Sequence, residues 1–305
     1  MTYLIATLSV LTTLFMPDII KPEDLQPASQ TQKPLIKFGI LADVQFCNCD
    51  PVGNRYYRSS PAKLNEAMAS LKKDSASFLV NLGDLIEKDY ESFDPVLKII
   101  KSSGLRIYHC TGNHDYSVAP ELKKRLPLTM PSKKGYYSFS QNNFRFIFLN
   151  GNELSTYAAD NEKSVKEAEE YIQSLKKEGN INAIDWNGGI SNRQLVWLEN
   201  QLDESVADNE KVFIFCHFPV YPENVHNLLN YRDVLAVTGK YRNIVAWFSG
   251  HNHAGNYGKL NTIHFITIKG MVETETTGSF AMIEVYSEKL QIKGYGREKE
   301  QTLPY

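Results

Sequence analysis

The sequence predicts an α/β protein in which two β-sheets pack together with helices outside. Apolar, β-prone runs alternate with segments of helical periodicity over the first two thirds of the chain, and the last third is almost wholly strand-like. Composition agrees: 305 residues with 42% hydrophobic and 22% charged side chains form an ordinary globular chain that can bury a sizeable core.

In order, the apolar run 35–42 predicts a buried strand. Leu64, Ala67, Met68 and Leu71 then recur at i, i+3, i+4 and i+7, the spacing of one helix face. Run 78–82 is a second short strand, and Val96, Ile99 and Ile100 mark a helix that Gly104 ends. Run 106–110 is a third strand. Runs 135–140 and 144–149 read as a strand pair joined by the turn Gln141-Asn142-Asn143. Segment 164–177 is charged and helical, and Leu195, Leu198 and Leu202 mark another amphipathic helix. Runs 211–216 and 244–249 are strands, as are 263–269, 279–286 and 290–293.

The N-terminus stands apart. Residues 4–16 form an apolar run too short for a membrane span but of the length of a signal-peptide core, although no Lys or Arg precedes it. Export or membrane tethering is the expectation if it acts as a signal segment, and a cytoplasmic location otherwise. Residues 17–34 are polar and carry Pro17, Pro22, Pro27 and Pro34, which reads as a linker. The chain thus divides into a leader and linker, 1–33, and a folded domain, 34–305. The formal net charge of −2 argues against a nucleic-acid partner, which needs a basic surface to displace counterions. Four cysteines are too few for a disulfide scaffold. A disulfide between Cys47 and Cys49, only two residues apart, would be strained. No cysteine is expected to be catalytic.

Polar residues gather where the strands end. Asp43-Val44-Gln45 follows the first run and Gly83-Asp84 the second. Gly112-Asn113-His114-Asp115 follows the third, His217 the run 211–216, and Gly250-His251-Asn252-His253 the run 244–249. Five runs each deliver a metal-capable side chain at the edge where open α/β sheets place ligands. Two carboxylates, two carboxamides and three imidazoles, with no thiolate, suit Mn, Zn or Fe. Seven donors exceed one tetrahedral ion.

This ordered pattern resembles the calcineurin-like metallophosphoesterase superfamily, with one departure: Gln45 stands where most members have His. With Arg55-Tyr56-Tyr57-Arg58, Trp186-Asn187-Gly188-Gly189, Asn230-Tyr231-Arg232-Asp233 and Gly270-Met271-Val272-Glu273-Thr274, the chain looks like the manganese-dependent ADP-ribose/CDP-alcohol diphosphatase branch, from about Lys37 to about Arg297. The resemblance implies a single catalytic domain, a four-layer α-β-β-α sandwich. It implies two divalent metal ions bridged by Asp84, one completed by Asp43, Gln45 and His253 and the other by Asn113, His217 and His251. The Gln45 carbonyl makes one site harder and tilts selection toward Mn and away from Zn, with Fe, Mg or Zn as the alternatives. Two such ions hold a hydroxide at neutral pH and clamp phosphate oxygens. His114 takes the position of the catalytic histidine, with adjacent Asp115 expected to orient it.

The implied activity is hydrolysis of the diphosphate bond of ADP-ribose or of a CDP-alcohol such as CDP-choline or CDP-glycerol. The partner is then a small nucleotide diphosphate, with no nucleic acid and no stable membrane span. Trp186 is the expected base-stacking platform, and Tyr257 and Gly258 could line the same pocket. Arg55 and Arg58 read as a solvated turn and helix start, with phosphate or ribose contact as the alternative. His109, His226 and His264 receive no role. The competing readings are a phosphomonoesterase or cyclic-nucleotide phosphodiesterase on the same scaffold, and a binding module that keeps the fold without the chemistry.

Overall fold

The structure is a computed structural model that describes residues 33–126, 132–159 and 161–305. Except for Lys33, the expected leader and linker lie outside the described residues.

In chain order the strands are β1 (Ile36–Leu41), β2 (Phe78–Asn81), β3 (Arg106–His109), β4 (Tyr137–Gln141), β5 (Phe144–Phe148), β6 (Lys211–Phe215), β7 (Ile244–Ser249), β8 (Asn256–Leu260), β9 (Ile263–Thr267), β10 (Ser279–Val285), β11 (Lys289–Gly296) and β12 (Gln301–Pro304). The helices are α1 (Ser60–Lys73), α2 (Phe93–Ser103), α3 (Glu162–Lys177), α4 (Asn192–Ala207) and α5 (Tyr231–Thr238). One six-stranded sheet has the order β12-β11-β10-β1-β2-β3 and the other β4-β5-β6-β7-β9-β8. The strands β1, β2 and β3 run parallel, as do β5, β6, β7 and β9; the remaining pairings are antiparallel.

The core explains the layering. Both sheets turn aromatic residues toward each other: Phe38 stacks on Phe78 at 5.1 Å and meets the edges of Phe146, Phe215 and Phe248 across the interface. Aromatic pairs prefer these offset and edge-on arrangements. On the outer face of the first sheet, Leu64, Ala67, Met68 and Leu71 of α1 pack with Val96 and Ile100 of α2, as their spacing predicts. On the outer face of the second, Leu198 and Leu202 of α4 and Tyr231 and Val234 of α5 cover β5, β6 and β7. The result is the expected four-layer α-β-β-α sandwich.

Helix ends follow sequence chemistry. Ser191 caps α4 by accepting from the Gln194 amide at 3.2 Å, and Gly104 ends α2 at φ 75°. The β4–β5 hairpin turns on two residues, Asn142 and Asn143, both at positive φ, one fewer than expected. Three elements had no signal. The helix α5 has eight residues, too few for a periodic pattern, and β8 and β12 are polar edge strands.

Packing two parallel segments face to face has one consequence for chemistry. The C-terminal ends of β1, β2 and β3 meet those of β6 and β7, and all five polar segments converge there.

Candidate metal and active site

Three of these strands, β1, β2 and β7, end in left-handed turns. Asp43, Gln45, Asp84 and His251 have φ of 53°, 43°, 54° and 66°. Such left-handed backbone costs a non-glycine residue about 1–3 kcal/mol and persists only where neighbours enforce it. Here loop braces loop. The Asp43 amide donates to Gly83 O at 3.1 Å, Gln45 to Asp84 O at 2.9 Å, Gly250 to His217 O at 2.9 Å and Val272 to Asp43 O at 2.9 Å. Gly112 is required by space: a Cβ there would stand 2.1 Å from Asp84 Oδ1.

The side chains so aimed form two groups that share Asp84. In one, His217 Nε2 lies 3.3 Å from Asp84 Oδ2, 3.3 Å from Asn113 Oδ1 and 3.2 Å from His251 Nδ1. In the other, Gln45 Nε2 lies 3.4 Å from Asp84 Oδ2, and His253 Nε2 3.6 Å from Asp43 Oδ1. Asp43, Gln45, Asp84, Asn113, His217 and His251 are buried, and His253 nearly so.

Hydrogen-bond accounting tests whether these residues fit divalent ions. The outer nitrogen of each imidazole is taken: His217 Nδ1 by Leu82 O at 2.9 Å, His251 Nε2 by Asn187 Oδ1 at 2.9 Å, and His253 Nδ1 by Glu273 Oε1 at 2.8 Å. Each of these acceptors needs an N–H, so the other nitrogen of a neutral ring carries a lone pair inward. With neutral rings, lone pairs of His217, His251, Asn113 and Asp84 face one another across 3.2–3.3 Å, which repels unless a proton or a metal cation stands among them. Gln45 Oε1 is buried with no hydrogen-bond partner, an acceptor awaiting a Lewis acid. Donors about 2.0–2.1 Å from one ion lie roughly 3.0–3.4 Å apart, the spacing found around His217; in the second group His253 Nε2 is slightly farther, 3.6 Å from Asp43. The residues fit two divalent ions.

Protonation equilibria reflect the same deficit of positive charge. Burial alone would lower His217, but Asp84 raises it to about 9. Burial opposes charge on His253 too, and Asp43 and Glu273 raise it to about 9. Burial and neighbouring His217 push His251 well down. Against the cost of its own burial, Asp84 is held below the usual carboxylate range by His217 and His114.

His114 sits at the rim. Its Nδ1 bonds the Glu87 backbone oxygen at 3.4 Å and lies 3.2 Å from Glu87 Oε2 in an ion contact without a hydrogen bond, and the ring lines the cavity. Its expected partner does something else. The Asp115 carboxylate accepts from the amides of Asp84 at 3.0 Å, Leu85 at 2.8 Å, Ile86 at 3.4 Å and Gly112 at 2.9 Å. Asp115 thus builds the Asp84 turn, and Glu87 orients His114. The sequence reading missed Glu87, which stands three residues after Asp84 without a pattern of its own.

A cavity of about 420 Å³ opens above the cluster, lined by Gln45, Asp84, Asn113, His114, His251 and His253 below and by Arg55, Trp186 and His226 at the sides. The Trp186 ring is 5.0 Å from that of His251 and 5.2 Å from that of His226. His226, given no role from sequence, is part of this wall. Arg55 lines it too, against the solvated-turn reading, whereas Arg58 binds Asn48 and Asp50 on the surface. Tyr257 and Gly258 do not reach it. Tyr257 on β8 bonds His264 Nδ1 at 3.0 Å and lines a separate recess, and Gly258 lies against Tyr221 and Pro222. Strand β8 is the edge strand of its sheet, one strand beyond β9 from β7, whose C-terminal loop enters the cluster.

Cys47 and Cys49 are joined in a disulfide, and Cys110 and Cys216 are free and buried. Burial pushes the Cys216 thiol up to about 12 and Cys110 well up, so neither is a nucleophile.

The calcineurin-like phosphoesterase family matches residues 36–255. The chain is 30% identical to a manganese-dependent ADP-ribose/CDP-alcohol diphosphatase of Homo sapiens, over 95% of this chain and 98% of that one. It is 28% identical to the protein of the same name from Arabidopsis thaliana, over 88% and 97%. Among solved structures, a dimetal phosphatase from Danio rerio superposes with a TM-score of 0.81 at 26% identity, covering 90% of this chain and 100% of that one.

Proposed function

Because the chain belongs to the calcineurin-like phosphoesterase family, and is a metal-dependent phosphohydrolase, we propose that it cleaves the diphosphate bond of ADP-ribose or of CDP-alcohols. Water adds across one P–O bond, and the products are a nucleoside monophosphate and a phosphorylated ribose or alcohol.

The observation that carries this reading is the cavity wall. Trp186 is 37% exposed and faces the cavity beside the cluster, so a base stacked on it sets the attached diphosphate above Asp84 and His251. Stacking suits a site that accepts more than one base. The Arg55 guanidinium at the same wall matches phosphate oxygens. Manganese is the metal proposed, since the relatives are named for it and the Gln45 carbonyl is a hard donor.

When bound, divalent ions supply Lewis-acid chemistry, polarising phosphoryl oxygens and making water a nucleophile at neutral pH. The residues of the chain do the rest. Asp43, Gln45, Asp84, Asn113, His217, His251 and His253 would hold the ions. His114, with Nδ1 fixed by Glu87, presents Nε2 to donate to the transition-state oxygens or to the leaving oxygen.

The test is a substrate panel on the full chain with added manganese: ADP-ribose, CDP-choline, CDP-glycerol, a cyclic nucleotide and an aryl phosphate, with products identified by mass. Nucleoside monophosphate from the first three is expected. Turnover of only the cyclic nucleotide or the aryl ester would overturn the substrate class and leave the phosphohydrolase.

A further inference from the structure

We infer that Asn187 is a positioning residue that sets the tautomer of His251 and mechanically couples the metal site to the wall that faces the substrate base. The metal part of this inference rests on the reading of the cluster given above.

The Asn187 side chain is fully buried and spends each end differently. Its Nδ2 donates to Asn182 O at 2.9 Å and to Val225 O at 2.7 Å. Two carbonyls on one side leave no choice about which end of the carboxamide is the amine. Its Oδ1 therefore faces His251 Nε2, at 2.9 Å, and a carbonyl oxygen can only accept. His251 must carry its proton on Nε2, which leaves Nδ1 bare and directed at the cluster, 3.2 Å from His217 Nε2.

The amine end reaches the substrate wall. Val225 immediately precedes His226, whose ring stands 5.2 Å from Trp186 and 5.5 Å from His251. Nearby Asn182 reinforces the same loop by donating to Leu228 O at 2.7 Å. The segment sinks this deep because Gly188 lies against Gly151, where a Cβ would come 2.2 Å from the Gly151 oxygen. A single carboxamide thus joins an imidazole of the metal site to the loop that shapes the base pocket, with Trp186 as its chain neighbour.

Because the two roles use different ends, substitution separates them. Asn187→Asp keeps an acceptor for His251 and loses both donors. Asn187→Leu loses both.

The experiment has three readouts on the full chain: the His251 tautomer by long-range proton–nitrogen NMR without metal, manganese affinity by calorimetry, and KM for CDP-choline against an aryl phosphodiester that has no base. Wild type should show the Nε2-protonated tautomer. Asn187→Leu should lose about 10- to 100-fold in metal affinity, the usual range for a partner that orients a ligand, and Asn187→Asp less than about threefold. Asn187→Asp should raise KM about tenfold for CDP-choline and less than about twofold for the base-free ester. A purely structural role would weaken both substrates alike. An Nδ1-protonated His251 in wild type overturns the inference without any variant having to fold, as does equal metal affinity in the two variants. If wild type hydrolyses no nucleoside diphosphate, the substrate reading fails, and the tautomer and metal readouts still decide Asn187.

Discussion

Single residues divide the labour at this site in a way that neighbouring positions in the chain conceal. His114 and Asp115 are adjacent, yet their side chains serve different partners: the imidazole meets Glu87, and the carboxylate collects amides from Asp84, Leu85, Ile86 and Gly112. Two substitutions separate these roles. Glu87→Ala keeps the backbone oxygen bonded to His114 and removes only the carboxylate 3.2 Å from it, so turnover should fall by less than about tenfold, well short of the 10²–10⁴ that a general acid itself contributes, while calorimetric metal affinity stays unchanged. A loss of about 100-fold or more would show that the Glu87 carboxylate, and not its backbone oxygen, sets His114. Asp115→Ala should instead cost about 3–5 kcal/mol in urea unfolding, because it strips a buried acceptor from four amides. A variant as stable as wild type would mean that water replaces the carboxylate without loss.

At the scale of elements, the strands deliver the polar cluster and a helix braces one of the loops that aim it. The helix α1 is the plainest case. Its Lys63 is 2% exposed and donates to Val272 O at 3.0 Å and Thr274 O at 2.9 Å, on either side of Glu273, whose carboxylate holds His253. Burial, helped by Arg297 and opposed by Glu273, lowers the Lys63 ammonium from 10.5 to about 8. Between these values the unfolded chain binds a proton that the folded chain has released, so this residue's contribution to stability rises with pH across that window. The penalty is fully present below about 8 and is relieved above it. Urea unfolding of wild type and Lys63→Met at about pH 7 and about pH 10 checks this; the difference should move in favour of wild type at the higher pH. A difference that stays constant would mean that Lys63 remains charged throughout.

For the molecule as a whole, the cluster concentrates what folding disfavours: four left-handed residues and a buried Gln45 acceptor without a partner. Ions that bind only the folded state offset this cost by mass action, about 2.7 kcal/mol at one hundred times Kd. Adding manganese to chelator-treated protein should therefore raise Tm by about 5–10 °C, followed by calorimetry. A Tm indifferent to manganese and to chelator would rule out a metal centre in this cluster.

The sequence by itself determined the fold class, most of its elements and the seven polar residues at strand ends. Each of those signals is local: a period of two or 3.6, or a metal-capable donor directly after an apolar run, legible within a few positions. Arrangement was decided only by tertiary structure. Glu87 meets His114 across 27 positions, Asn187 meets His251 across 64, and His226 enters the wall through a loop with no periodicity. Tyr257 and Gly258, four and five positions past His253, leave the site because β8 carries them along the sheet edge. A side chain's partner depends on where packed sheets bring distant loops together, and closeness along the chain says little about direction in space.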